Sequence, residues 1–423
     1  MKERRTPIAP MAVSARPRAR EIGIRIGEFN PGPFNAITDV EGVRVGHTTL
    51  IEGDGQLKIG AGPIRTGVTA ILPHPGNLID EPVEAAHFIF NGAGTTCGLS
   101  LIDEFGQIET PILLTSTFSV GAVYDAVTRY VIRTTLEGGR NPRWFSPTVG
   151  ETYDGGLNDA AGLHIKAEHV FAAIENATAG IVVEGNVGAG TGTSACGFKA
   201  GIGTSSRCVE IGGKLWRVGA LVQSNFGGEL VIDAVPVGKI LRASQPAPIP
   251  IPEEEESSAL RSDGSIMVIL ATDAPLSSRQ LYRLAKRGTL GMGRVGADGG
   301  HGSGDYFIAF STTYRRRMLA GLTTDMATLV EDESRLNPLF RATADAVEEA
   351  ILNSFFRAET LKGRDDRTVR ALPIDQVVQI LRNHRIYPPV AYTDLGFTSV
   401  YPENFLKAVK DLFPTCVFCQ NFV

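Results

Sequence analysis

The sequence predicts a layered α/β or α+β fold, in which helices and strands are interspersed along the chain. Short apolar runs with little polar alternation are typical of strands that are covered on both faces. Two longer segments carry apolar residues at helical spacing. The chain also has 48 glycines among 423 residues, about 11% against a usual level near 7%, and they cluster between these elements. Such clusters are typical of sharp turns and of backbone that approaches a ligand closely.

The apolar runs are predicted to be strands that alternate with glycine-rich loops. They cover residues 68–73, 111–117, 180–185, 216–225, 229–238 and 265–274, with a further run that starts at Asp305. The run from Ser265 is preceded by the turn-forming pair Asp263-Gly264. This run is therefore expected to enter the core directly after a flexible connection.

Two segments are predicted to be helices. Residues 276–292 place Leu276, Leu281 and Leu284 on one stripe. Residues 337–363 begin with Asn337 as a cap and Pro338 in the first turn, and the pattern predicts that the helix stops at Gly363. Both helices are expected to cover a sheet.

Composition and charge narrow the class of protein. Hydrophobic residues make up 43% of the chain and charged residues 21%, which is typical of a soluble globular protein with a large core. The net charge of −5 gives no basic footprint for nucleic acid, and no apolar run is long enough to span a membrane. The partners are therefore expected to be small molecules or copies of the chain. The C-x-x-C pair Cys416 and Cys419 lacks the further ligands of a zinc site and is interpreted as terminal packing, with no metal predicted.

Composition distinguishes two segments, one before the predicted domain and one within it. The first twenty residues hold six basic residues, one acid and three prolines, which predicts a disordered basic arm over 1–24 on a cytoplasmic protein, with a transit peptide as the alternative. Residues 243–263 are rich in proline and glutamate and form a linker or surface loop. Because strong strands flank that segment, we expect one catalytic domain over 25–423.

Conventional catalytic motifs do not fit the sequence. There is no G-x-S-x-G elbow and no H-E-x-x-H, and the glycines at 185–192 are not followed by the helix that a dinucleotide loop requires. A serine that follows a glycine at the start of a rigid strand suggests self-cleavage instead. The hydroxyl of Ser265 would attack the Gly264 carbonyl, and the freed α-amine, with an ordinary pKa of about 7.7–8.0, would serve as the base. The alternative is a plain turn followed by a polar strand residue.

Seven segments resemble one known family in the same order along the chain. They are FNAITDVEGVRVGHTTL, FNGAGTTCGL, ETYDGGLND, GNVGAGTGTSACGFKAGIGTSS, LVQSNFG, DGSIMVILATDAPL and HGSGDYFIAFST. The family is that of the self-cleaving N-terminal-nucleophile aminopeptidases, which includes L-aminopeptidase/D-amino-acid esterase-amidases and β-peptidyl aminopeptidases. The resemblance covers residues 25 to 385.

The resemblance implies a role for six residues. Ser265 is the nucleophile, freed by cleavage after Gly264, and Asn225 stabilises the oxyanion. Ser303 and Asp305 resemble the pair that hydrogen-bonds the nucleophile and its amine, although some members have Glu at the position of Asp305. The remaining two line the substrate pocket: Glu151, suited to a substrate ammonium group, and Tyr153.

The resemblance also implies an architecture and an assembly. The expected fold is a four-layer αββα sandwich, cleaved into chains 1–264 and 265–423 that stay together, and the expected assembly is a homotetramer of cleaved pairs without a cofactor. The substrates are short peptides, amides or esters, and the choice among L-α, D-α and β-amino first residues stays open. Two alternatives are a self-cleaving acyltransferase of the ornithine acetyltransferase type and a non-catalytic small-molecule-binding protein.

Overall fold

Two β-sheets stack face to face at the centre of the protein. The computed structural model describes residues 16–244, 264–315 and 325–384, all within one compact unit. The described strands are β1 Arg44–Glu52, β2 Ile64–Leu72, β3 Val83–Gly92, β4 Gln107–Ile108, β5 Ile112–Ser116, β6 Thr148–Thr152, β7 Ser194–Ala195, β8 Phe198–Lys199, β9 Ile202–Ile211, β10 Lys214–Asn225, β11 Ser265–Thr272, β12 Gly304–Arg315, β13 Leu361–Lys362 and β14 Thr368–Val369. The described helices are α1 Leu99–Phe105, α2 Val120–Glu137, α3 Ala167–Glu175, α4 Val237–Ala243, α5 Ser278–Arg294, α6 Glu333–Phe356 and α7 Ile374–His384.

The strand order places β11 inside the larger sheet. The first sheet has the order β1-β2-β5-β6 and the second has the order β4-β3-β12-β11-β10-β9. The pair β11 and β12 is parallel, whereas β10 pairs with β11 and β3 pairs with β12 in antiparallel fashion. The strand that begins with Ser265 is therefore hydrogen-bonded on both edges.

Side chains from both sheets form the core between them. Met267 and Ile269 of β11 and Phe310 of β12 pack with Ile112 and Leu114 of β5 in one cluster of buried residues. The alternate residues of β11 lie on its other face, and all eight residues of the strand are buried. This explains why the run lacks polar alternation, as the sequence predicted.

Helices cover the outer face of each sheet. Val123 and Val127 of α2 and Val170 of α3 pack with Val68 and Leu113 of the first sheet. On the second sheet, α5 approaches so closely that a Cβ on Gly288 would lie 2.6 Å from the Phe307 ring. The protein is thus the four-layer αββα sandwich that the sequence predicted. No helix in the described ranges is both long enough and apolar enough to cross a lipid bilayer.

Two predicted strands are wrong. Residues 180–185 form no strand, and only Gly185 makes an isolated bridge, to Ile202. Residues 229–238 form a turn, with a bridge between Ile232 and Val235, and then lead into α4. Both segments hold buried apolar side chains, such as Val182 and Ile232, although Ile181 is 70% exposed. Their backbone does not pair with a strand over consecutive residues.

The long second helix also has other boundaries than predicted. The predicted cap, Asn337, lies inside α6, and the observed cap is Asp332, whose carboxylate accepts the Arg335 N–H. Pro338 lies in the second turn, and the helix ends at Phe356 instead of continuing to Gly363. An aspartate is as strong a cap as an asparagine, so the helix begins at the earlier of the two signals.

The predicted disordered arm ends earlier than residue 24. Arg16 donates to the carbonyl oxygen of Phe356 at 3.0 Å, and Arg20 forms an ion pair of 2.8 Å with the buried Glu349. Ala19 is fully buried. Residues 16–24 therefore lie on the body of the protein, because the arginines of the arm pair with groups on and after α6. Residues 1–15, the predicted linker from residue 245 onward and the Cys416/Cys419 tail lie outside the described residues.

Candidate active site

The central strands of the second sheet bring four predicted site residues together. Ser265, the first residue of β11, lies opposite Asn225 at the end of β10 and opposite Gly304 at the start of β12. Ser303 precedes Gly304, and Asp305 follows it. Because β11 and β12 are parallel neighbours, both strands begin at the same edge of the sheet, and the site forms there.

The Gly304 N–H contacts both Gly264 and Ser265. The Gly304 N–H lies 3.3 Å from the Ser265 Oγ and 3.2 Å from the Gly264 carbonyl oxygen. Ser265 itself is 8% exposed. One amide thus contacts both the attacking atom and the carbonyl oxygen of the bond that self-cleavage would break.

Gly264 is required by close packing. A Cβ at this position would lie 2.3 Å from the Asn225 carbonyl oxygen and 2.3 Å from the Phe226 Cα, both of which are backbone atoms. Such an overlap cannot be relieved by moving a flexible side chain. The reason for a glycine here is the approach of the backbone at the end of β10.

Ser303 and Asp305 form a buried pair next to Ser265. The Ser303 hydroxyl donates to Asp305 Oδ1 at 2.7 Å, and Asp305 is fully buried. Burial raises the pKa of the Asp305 carboxyl, while hydrogen bonds from Ser303 and Asn91 oppose that rise. Both residues therefore flank Gly304, the sheet partner of Ser265, and their hydrogen bonds to Ser265 and its amine stay a prediction.

The Asn225 side chain is fixed on both sides. Its Oδ1 accepts the Ser194 N–H at 3.1 Å, and its Nδ2 donates to the Tyr153 carbonyl oxygen at 2.9 Å. A primary amide has two N–H groups, so one remains beyond the bond to Tyr153. An amide held in this way is suited to donate to an oxyanion without rearrangement.

Glu151 reaches the site from the other sheet. It lies in β6 and is 2% exposed; its Oε1 accepts the Thr95 N–H at 2.8 Å, and its Oε2 accepts the Thr117 hydroxyl. At the neighbouring Gly150 a Cβ would lie 2.4 Å from Met267 of β11, so the two sheets are in contact here. A buried carboxylate with two neutral donors keeps its charge available for a cation.

Tyr306 lies close enough to both Glu151 and Asp305 for their charges to affect its phenol. Its hydroxyl donates toward the carbonyl oxygens of Gly92 and Gly94, at 3.1 and 3.2 Å. Burial raises the pKa of the Tyr306 phenol, and the negative charges of Glu151 and Asp305 raise it further. The charges of both carboxylates thus act on the same phenol.

Tyr153 lies at the rim of the site. It is 49% exposed, and its ring packs edge-on against Phe118 with 5.8 Å between the ring centroids. Its backbone carbonyl, and not its phenol, contacts Asn225. Tyr153 therefore lies beside Asn225, with its ring open to solvent.

Several residues of the site received no role from the sequence. They are Asn91, Thr95, Thr117, Ser194 and Gly304, each of which hydrogen-bonds a residue predicted for the site. Four of them lie in the glycine-rich segments that carry the resemblance, so their position was a usable signal. Thr117 follows an ordinary buried strand, and nothing local distinguishes it.

Comparison with known proteins decides the family. The family model described as peptidase family S58 matches residues 35–369. The chain belongs to peptidase family S58. It is also 43% identical, over 387 residues, to the β-peptidyl aminopeptidase BapA of Sphingosinicella microcystinivorans. The alignment covers 89% of this chain and 95% of that protein.

Solved structures of the family share the fold. A β-aminopeptidase of a Burkholderia species aligns with a TM-score of 0.76 and 42% identity, over 88% of this chain and 100% of the other. The L-aminopeptidase D-Ala-esterase/amidase of Ochrobactrum anthropi, described as a prototype of the serine aminopeptidases with a variant Ntn hydrolase fold, aligns with a TM-score of 0.79 and 39% identity, over 87% and 99%. The S58 chain is therefore a serine aminopeptidase of the N-terminal-nucleophile class, as the sequence predicted, and the acyltransferase and non-catalytic alternatives are not supported.

Proposed function

We propose that the chain cuts itself between Gly264 and Ser265 and that the freed Ser265 then releases the first residue of short peptides, amides or esters. The observation that carries this is the position of Ser265 at the start of a buried central strand, beside Asn225 and the Gly304 N–H. The family and the fold support the same assignment.

The cleavage step uses groups that are already in contact. The Ser265 Oγ attacks the Gly264 carbonyl carbon, its proton passes to the departing nitrogen, and the C–N bond breaks to give an ester and a free α-amine. Water then hydrolyses the ester, which leaves a carboxylate on Gly264 and restores the Ser265 hydroxyl. The Gly304 N–H, at 3.2 Å from the Gly264 oxygen, stabilises the negative charge that develops there.

The catalytic cycle repeats this chemistry on an external substrate. The α-amine of Ser265 acts as the base, since an unperturbed α-amine has a pKa of about 7.7–8.0. Asn225 donates to the oxyanion, Ser303 and Asp305 hold the nucleophile and its amine, and Glu151 binds the substrate ammonium group, with Tyr153 at the pocket rim. An acyl-enzyme forms on Ser265, the amine product leaves, and water releases the amino acid. No cofactor takes part in this scheme.

The cleaved chains are expected to remain together. Strand β11, which opens the second chain, pairs with β10 of the first chain, and β12 pairs with β3 of the first chain. Separation would expose one edge of each of these two inner strands and the core between the sheets. We further propose a homotetramer of cleaved pairs, on the family resemblance, and a cytoplasmic location, on the sequence of the basic arm. Light scattering on the purified protein measures the mass of the assembly and so tests the tetramer.

Close packing at Gly264 gives a test of the cleavage geometry. Gly264→Ala should lengthen the half-time of self-cleavage by tenfold or more, because about 1.4 kcal/mol of misplacement already costs that factor. A gel time course after rapid purification measures the rate. Gly121→Ala is the control, since a Cβ there meets nothing within 4 Å. Equal cleavage rates in Gly264→Ala and the control would contradict the assigned geometry.

A substrate panel tests the function itself. We expect the cleaved protein to release p-nitroaniline from β-alanyl, L-alanyl or D-alanyl p-nitroanilide, with the β-alanyl compound included because relatives at 43% and 42% identity carry β-peptidase names. The N-acetylated forms of the same compounds should be inert, since they lack the ammonium group that Glu151 binds. Hydrolysis of the acetylated forms at the same rate would refute the proposal. Fully cleaved protein that hydrolyses no compound of the panel would refute it as well.

A further inference from the structure

A β-bulge in β3 sets which side chain lies opposite Asp305. Phe307 of β12 lies opposite Phe88 of β3, and Tyr306 lies opposite Ile89. An unbroken register would therefore place Phe90 opposite Asp305. The register shifts at this point, and Asn91 becomes the partner of Asp305. Bulges of this kind redirect a side chain and are frequent beside active sites.

The amide of Asn91 joins Asp305 to the loop before it. Its Nδ2 donates to Gly299 O at 2.8 Å and to Asp305 Oδ2 at 3.2 Å, with Gly300 O at 3.4 Å. All these partners are oxygen acceptors, so the amide is favourable only with its Nδ2, and not its Oδ1, turned toward them. The same loop ends at Ser303, whose hydroxyl donates to the other oxygen of Asp305.

We propose that Asn91 is a positioning residue that holds the Asp305 carboxylate and the loop of Ser303 in one arrangement for the Ser265 nucleophile. This inference rests on the proposed function, because Asp305 acts on Ser265 only within that scheme. Asn91 contacts Ser303 through Asp305 and the loop, and it is not itself a catalytic group. The Asp305 carboxylate is then hydrogen-bonded on both oxygens, which fixes its plane.

The loss of Asn91 should change the ionisation of Asp305 in a definite direction. Burial already raises the pKa of Asp305, and the Asn91 hydrogen bond opposes this rise, so its removal raises the pKa further. Among the described residues, the titratable groups that bear on Asp305 are Asp298 in the loop, Tyr306 in β12 and, after cleavage, the α-amine of Ser265 on β11. Asn91 on β3 does not titrate.

Two variants test the role through the pH profile. In Asn91→Leu, which has nearly the same shape, the step of the acid limb of kcat/KM that reports Asp305, as distinct from the step of the Ser265 α-amine, should move up by about half a pH unit to one unit. The kcat should be about tenfold lower, with KM within about twofold. Asn91→Asp places a second carboxylate beside Asp305 and should move the limb further. Asn176→Asp, on the exposed end of α3, is the matched control and should leave the profile unchanged. The proposal would be overturned if the acid limbs of kcat/KM in both Asn91 variants had midpoints within about 0.2 pH unit of the wild-type midpoint.

A direct titration separates this inference from the proposed function. In uncleaved Ser265→Ala protein with carbon-13-labelled aspartate, Asp305→Asn identifies the Asp305 carboxyl resonance. We expect its titration midpoint to be higher when Asn91→Leu is added. An unchanged midpoint would overturn the role of Asn91 even in an active enzyme. If wild-type protein were inactive, the proposed function would fail, and this titration would still decide whether Asn91 controls Asp305.

Discussion

Ser265→Ala is expected to give a single chain of 45.2 kDa without aminopeptidase activity. Wild type should instead show two chains of about 28 and about 17 kDa, by proportion of the residues before and after the Gly264–Ser265 bond. Without the Oγ no ester forms, so neither the cut nor the acyl-enzyme can occur. The expected fall in kcat is on the order of 10⁵-fold or more, as for other nucleophile deletions. Intact mass spectrometry and nitroanilide hydrolysis measure both effects.

Ser265→Thr is the companion variant, since a threonine hydroxyl can also act as a nucleophile. Cleavage should persist at a lower rate, because the extra methyl group must fit at a site that is 8% exposed. Amino-terminal sequencing of the smaller chain would then start at residue 265. A wild-type chain that stays intact, or an Ser265→Ala protein that is still cut at the same bond, would remove the basis of the mechanism.

The proposed nucleophile, Ser265, could be singled out because its signal is local. A glycine, a serine and an uninterrupted apolar run stand next to each other in the sequence, and the structure shows why: β11 is paired on both edges and covered on both faces. The same reasoning failed for residues 180–185 and 229–238. Several of their apolar residues are buried in connections, and hydrophobicity alone does not show whether the backbone pairs with a strand.

The supporting contacts of the site were not predictable, because they depend on tertiary register. Asn91 faces Asp305 only because of the bulge at Phe90, and no pattern within β3 indicates that shift. Thr117 reaches Glu151 because β5 and β6 are parallel neighbours, although 34 residues separate the two in sequence. The sequence places Gly264 in a turn before Ser265, but the need for a glycine there lies in the backbone of β10.

Glu151→Gln is expected to lower kcat/KM for free-amine substrates strongly without unfolding the protein. The Gln oxygen can still accept the Thr95 N–H, and its amide can donate to the Thr117 hydroxyl, so the buried hydrogen bonds survive. The substrate ammonium, however, loses its charged partner. Removal of one member of a buried charge pair costs about 2–5 kcal/mol, which corresponds to roughly 30- to 4,000-fold in kcat/KM.

The pH dependence of this deficit distinguishes charge recognition from a general disturbance of the site. Below the substrate amine pKa, about 7.7–8.0 for an α-amine, the ammonium form dominates and wild type should exceed Glu151→Gln by the full factor. Above it the substrate becomes neutral, the charge of Glu151 no longer helps, and the ratio of the two rates should fall as the pH rises. The comparison uses L-alanyl p-nitroanilide, fully cleaved protein and the exposed Glu137→Gln as control. A ratio that stays constant from pH 6 to about 10, well past that amine pKa, would mean that Glu151 supports the site by its hydrogen bonds and does not bind the substrate amine.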